Sequence, residues 1–225
     1  MNEIALFPNQ KFSILQLAIF RAFCELHLKQ LEIDSELMEN ETIFNNKLQF
    51  PLREISKCLI QYYWPFFEAG FIALSEKDSI QNTKIKFRKQ LTELIQSYSG
   101  DWEESYFQFT KDLNLSLKKR LINQKKDLQI KSCLQSIEQA ILKGPVSLSN
   151  KISESNHFEF KPKENLLILK NEIQKSILKD TQVTLLKLQR IWLELILKWN
   201  ADSIYSESDF RKMIYFDSFN KDISI

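Results

Sequence analysis

Glycine constrains this sequence most: Gly70, Gly100 and Gly144 are the only three among 225 residues. Tight hairpins and phosphate-cradling loops need positive φ or a close backbone approach, and glycine supplies both without steric cost. A chain with three such points is not a hairpin-rich β protein. It also contains no GxxxxGK loop and no GxGxxG fingerprint. Proline is nearly as sparse, at Pro8, Pro51, Pro65, Pro145 and Pro162. Helices joined by polar turns are the architecture that fits.

Hydrophobic periodicity agrees. Between Lys11 and Leu31, Phe12, Leu15, Ile19, Ala22, Phe23 and Leu26 recur at steps of three and four, which predicts a long, mostly buried helix. Residues 32–49 are acidic and Asn-rich and read as a loop with at most one helical turn. Pro51 then opens a helix at its first turn, with Leu52, Ile55, Leu59, Ile60 and Tyr63 as its apolar face and Pro65 as its end. Ile85 to Tyr98 form a further helix stopped at Gly100. Asp101 with Glu104 is a capping-box pattern for the next one, and a helix through Ile130 to Ile141 is expected to end at Gly144 and Pro145. The one strand signal is HFEFKPKENLLIL, 157–169, two short arms around a polar turn and hence a β-hairpin. A long helical stretch follows Lys170, with Asp180 and Thr181 marking a break and a new N-cap. The expected fold is mainly α: an irregular multi-helix domain over residues 1–225 with one short hairpin near 157–169. Residues 144–156 are the place to divide it, and 201–225 form a tail with one short helix.

Composition narrows the setting. Hydrophobic residues make up 44% and charged residues 27%, so a packed core is within reach and wholesale disorder is not expected. The 31 basic and 29 acidic side chains leave a formal charge of +2, too small for a global field that would steer the protein to nucleic acid or anionic lipid. Cys24, Cys58 and Cys133 are odd in number and lie within apolar helical patterns, as buried free thiols do. With no long apolar span and no signal-peptide pattern at Met1 to Gln10, the expected location is the cytoplasm, without membrane contact.

Chemistry-bearing residues are few. Cys24 and His27 are spaced to share a helix face, half of a zinc site, but no second close pair completes four ligands. His157 reads as a polar strand-start residue. No Gly-flanked serine elbow occurs, and the acidic groups at Asp101, Glu103 and Glu104 and at Glu36, Glu39 and Glu41 read as a helix start and a solvated loop. No catalytic, metal or cofactor site is expected. Two basic clusters remain: Lys84, Lys86, Arg88 and Lys89 at one helix start, and Lys118, Lys119, Arg120, Lys125 and Lys126 around one joint. They are candidates for contact with a phosphate backbone, the alternative being a solvated lysine-rich face. The aromatic run Tyr62, Tyr63, Trp64, Phe66 and Phe67, with Trp192 later, is a candidate core or interface cluster.

Several fragments together carry a resemblance. KFSILQLAIF (11–20), FPLREISKCLIQYYWPFF (50–67), NLLIL (165–169) and IWLELILKWN (191–200), the last with Trp192 eight residues before Asn200, resemble in order the N-terminal half of bacterial HNH endonucleases. In that family a helical region precedes a ββα-metal unit with a Cys-x-x-Cys knuckle and an Asp-His pair. None of those residues follows here, so no catalytic residue carries over. The stretch EAGFIALSEKDSIQN (68–82) also departs from the polar segment found in relatives. The resemblance implies a non-catalytic helical module of a prokaryotic DNA-targeting or defence nuclease, either split from its catalytic half or serving as a separate subunit. Its partners would be DNA or RNA through the assembly, and a protein subunit. The alternative is a purely structural protein–protein interaction subunit of a larger assembly.

Overall fold

The computed structural model describes residues 12–37, 47–70, 87–117, 123–147 and 157–219. The chain is mainly α. In chain order the elements are α1 (Ile14–Leu37), β1 (Gln49–Pro51), α2 (Leu52–Glu68), α3 (Arg88–Ile95), α4 (Trp102–Leu117), α5 (Gln124–Ile141), a π-helical turn (Leu142–Val146), β2 (Phe158–Lys161), β3 (Leu166–Leu169), α6 (Asn171–Lys179), α7 (Thr181–Trp199) and α8 (Glu207–Phe219). They gather into two compact units. The first comprises Met1–Ile55 and Ile141–Trp192; the second comprises Ser56–Ala140 and Leu193–Ile225.

In the first unit α1 is started by a reciprocal cap. The Gln16 amide N–H donates to Ser13 Oγ at 3.2 Å, and the Ser13 N–H donates back to Gln16 Oε1 at 3.0 Å. This is the capping box, in which each side chain satisfies an orphan donor of the first turn. The predicted hairpin is present as β2 and β3, with Phe158 opposite Leu169 and Lys161 opposite Leu166. Its turn places Asn165 at φ 53°, a left-handed conformation that asparagine tolerates better than most residues. The reading of 32–49 as a loop with at most one helical turn is corrected at both ends: α1 runs on to Leu37, and a third strand, β1, pairs antiparallel with β3, so the order is β1-β3-β2. β3 is thus central, and Leu167, Ile168 and Leu169 are all buried. Burial on both faces is why LLIL is a continuous apolar run while FEFK alternates. Pro51 is the last residue of β1 on the sheet edge, and α2 starts at the next residue, Leu52, one place after the expected opening; at the edge its missing N–H breaks no internal ladder bond. Phe20 stacks on Phe158 at 5.2 Å, and Phe23 lies 5.5 Å from Phe50, fixing α1 over the sheet.

The second unit is built around Trp64 of α2. Its ring stacks on Phe109 of α4 at 4.6 Å, with Tyr98 and Tyr106 edge-on at 5.7 and 5.8 Å. Pro65 lies inside α2 and does not end it, and the Ala69 N–H donates to the Pro65 carbonyl at 3.0 Å. A helical proline costs about 3 kcal/mol; burial of Trp64, Phe66 and Phe67 around it outweighs that. Gly100, at φ 109°, separates α3 from α4 as predicted. Asp101 Oδ1 accepts from the N–H groups of Glu103 and Glu104, the expected N-cap of α4. Gly144 and Pro145, read as a helix end, instead lie within the π-helical turn that continues α5. The residues read as a tail contain α8, whose Phe210, Met213 and Ile214 are buried.

Candidate functional site

Only parts of the two basic clusters fall within the described residues. Lys84, Lys86, Lys118, Lys119 and Arg120 lie outside them. Arg88, at the first turn of α3, holds its guanidinium 4.7 Å over the Phe67 ring. Lys89 beside it is exposed, with Nζ 3.9 Å from Glu93 of the next turn. At the start of α5, Lys125 is exposed and Lys126 is not free to swing outward. The Lys126 Nζ is 3.4 Å from Asp112 Oδ2 and 4.1 Å above the Tyr98 ring. Asp112 also accepts the Tyr98 hydroxyl at 3.1 Å, and burial pushes the phenol's pKa up. Arg88 and Lys126, taken from separate clusters of the sequence, thus serve the interior of one unit as much as its surface.

The aromatic candidates are core. Tyr62, Tyr63, Trp64, Phe66 and Phe67 are all buried in the second unit, where Tyr63 meets Phe87 at 5.3 Å. Trp192 is buried in the first unit with the Arg21 guanidinium 5.8 Å above its ring. Arg21 is itself buried, and its Nε donates to Glu25 Oε1 at 2.8 Å. A charge this far inside is tolerated because it is paired. Each of these six rings is at most 8% exposed.

The sequence reads 102–109 as a helix through Trp102, Tyr106, Phe107 and Phe109, but the structure exposes Phe107 at 55% with the Lys111 ammonium 4.2 Å above its ring. Lys111 and Asn114 continue the same exposed stripe of α4. Periodicity cannot separate inner from outer positions on a helix as apolar as α4, so sequence reasoning passed over this pair.

The three cysteines are buried and form no disulfide. Burial raises the Cys24 thiol well above its ordinary pKa and takes Cys133 up to about 12, so both are protonated at neutral pH and poor metal ligands. No group of His, Cys, Asp and Glu among the described residues is placed to hold a metal ion. His157 is 5% exposed, with the rings of Phe12, Phe20 and Phe158 at 5.6, 5.9 and 6.4 Å. Its Nδ1 has no hydrogen-bond partner, and burial lowers its pKa.

One cleft combines volume with positioned polar groups. It measures about 490 Å³ and is lined by Phe67, Glu68, Gly70, Arg88, Thr92, Ile95, Gln96 and Tyr98, all within the second unit. The Trp64 indole N–H donates to Ser105 Oγ at 3.1 Å, and the Ser105 hydroxyl is shared between the two Glu68 carboxylate oxygens at 2.9 and 3.0 Å. Burial raises the Glu68 pKa; the Ser105 and Trp64 donors oppose this, and the charge of Asp101 adds to it. Sequence offered no signal for this site. Glu68 and Ser105 are 37 positions apart, and each reads alone as an ordinary helix residue.

No helix among the described residues is long and apolar enough to cross a membrane. Neither the curated proteins nor the solved structures contain a match to the chain. A family model described as a domain of unknown function, DUF8808, matches residues 8–206, and the chain belongs to that family.

Proposed function

We propose that the chain is a non-catalytic helical module of a prokaryotic DNA-targeting or defence nuclease, contributing contacts to a DNA backbone or docking to the catalytic subunit. Alongside the ordered likeness to the N-terminal half of HNH endonucleases, the observation that carries the reading is the exposed cationic rim where α4 meets α5. Lys111, Lys125 and Lys131 are exposed there, Lys131 paired with Asp127 of its own helix. Lys118, Lys119 and Arg120 of the intervening sequence lie outside the described residues. Such a rim contacts phosphates without reading bases, so affinity is expected to fall steeply with salt. Phe107 beside Lys111 offers a ring on which an unpaired base can stack.

The test is mobility-shift binding to duplex and single-stranded DNA over a range of salt, with and without the products of neighbouring genes. Low-salt affinity should appear, and Lys111→Glu with Lys125→Glu should reduce the logarithmic salt slope by about 1 per lost phosphate contact. Absence of low-salt affinity for either DNA form would end the DNA-contact reading.

A second reading, a structural interaction subunit, is favoured by a different surface. Leu178 at the end of α6 and Val183 and Leu186 on α7 are exposed large apolar side chains. This reading predicts self-association or a stable complex with a co-encoded protein, which size-exclusion chromatography of the chain alone and with its neighbours would detect. A monomer that binds no neighbour rejects it.

A further inference from the structure

Glu68 is the last residue of α2, where the unpaired carbonyls of a final helical turn carry partial negative charge. Its carboxyl is partly withdrawn from water, and the donors that reach it are neutral: the Ser105 hydroxyl, 2.9 and 3.0 Å from its two oxygens, and the Trp64 indole. The one charged neighbour that acts on it among the described residues is Asp101, which is also negative. Arg88 lines the same cleft with its guanidinium 4.7 Å over the Phe67 ring, and it is not among the groups that act on Glu68. Glu68 thus has hydrogen-bond donors and no counter-charge, and a partly buried anion in that state is costly. The wall beside it supplies Phe67, Ile95 and Tyr98 as apolar surface and Thr92 and Gln96, four residues apart, as polar groups.

We propose that this cleft binds a small organic cation, a primary ammonium on an apolar body: Glu68 takes the ammonium, and Phe67, Ile95 and Tyr98 receive the body. Ser105 is fully buried and fixed by Trp64 Nε1–H at 3.1 Å. Its single hydroxyl proton leaves most of the carboxylate's roughly four acceptor sites to the ammonium, and it holds Glu68 in place before a ligand arrives. The contact formed is a charge-assisted hydrogen bond, and the helix end and Asp101 add to the attraction. The cleft's 490 Å³ suits a small ligand, since such sites run from about 300 to 1,000 Å³. The rings give apolar contact and do not select the charge, because cations already lie over them, Arg88 over Phe67 and Lys126 over Tyr98. Preference for a cation therefore rests on Glu68. This proposal is independent of the nucleic-acid reading and uses a different surface.

The test is isothermal titration of the full chain with 2-phenylethylamine, its neutral counterpart 2-phenylethanol and the anion 3-phenylpropionate. The amine should bind saturably, and the alcohol about tenfold more weakly or worse, because it lacks the charge-assisted contact. The carboxylate should bind more weakly still. Glu68→Gln should bring the amine down to the level of the alcohol while leaving the alcohol unchanged. Thermal melts establish whether that variant folds. If it does not, Gln96→Lys reads the same relation from the exposed rim of the cleft: it should weaken the amine about tenfold and leave the alcohol unchanged. The proposal is overturned by absence of binding to 2-phenylethylamine and 3-methylbutylamine at millimolar concentration, by equal binding of amine and alcohol, by tighter binding of the carboxylate, or by an amine affinity that Glu68→Gln does not change.

Discussion

At Trp64, size and polarity are satisfied by different neighbours: Phe109, Tyr98 and Tyr106 surround the ring, and Ser105 takes the indole proton. Trp64→Ala should therefore destabilise the protein by about 3–5 kcal/mol in urea denaturation, the usual cost of emptying an aromatic core position. Trp64→Phe should cost less but release Ser105, so Glu68 loses part of its anchoring. His157 makes the opposite arrangement, a polar ring with aromatic neighbours and an unpartnered Nδ1. Burial lowers its folded pKa, so the folded state resists the proton that the unfolded chain accepts. Stability from this site is complete above the unfolded value of about 6.5 and drains away as pH falls from there through the folded value. Denaturation at pH 7.5 and 5 should show that loss, and His157→Phe should remove its share of the pH dependence; an unchanged slope would contradict the assignment. Residue type made the buried cysteines legible in the sequence. It hid His157, because a histidine opening a strand reads the same whether it points inward or outward.

Caps were the best-read elements and short strands the worst. Asp180 and Thr181 read together as a break and a new N-cap, and it is Asp180 whose Oδ1 accepts the Val183 N–H at 3.0 Å. Asp180→Ala should cost about 1 kcal/mol and fray the start of α7, which hydrogen exchange at 181–184 would report. β1 went unread because three residues are too few to display alternation, and what makes Gln49–Pro51 a strand is β3, more than a hundred positions away. Pro65 misled for a related reason. Local propensity marks a stop, while the packing of the rings around it lies outside any local window. The cleft was invisible on the same ground: its walls come from the end of α2, all of α3 and the turn after it, and no segment carries the pattern alone. Basic clusters could be counted but not interpreted, since sequence cannot tell that Lys126 leans on Tyr98 and Arg88 on Phe67.

On the scale of the whole chain, the division into two units runs against sequence order. Each unit takes one piece from before Ile141 and one from Ile141 onward. Shortening the protein after Trp192 should therefore remove a structural part of the second unit, including buried Leu193, Ile196, Phe210 and Ile214, and not merely trim an end. Circular dichroism melts of such a truncation should lose cooperativity, and a sharp, unshifted transition would show that α8 is dispensable. Synthesis has its own consequence here. The sheet cannot gain its central strand until Leu169 has left the ribosome, and the second unit waits for α8. At roughly 5–20 residues per second, translation of the chain occupies about 11–45 s. For most of that time the apolar face of α1 exists without the hairpin strand that Phe20 packs against. Nascent chains of this protein are therefore expected to engage chaperones heavily, and early-terminated products to aggregate before they can fold.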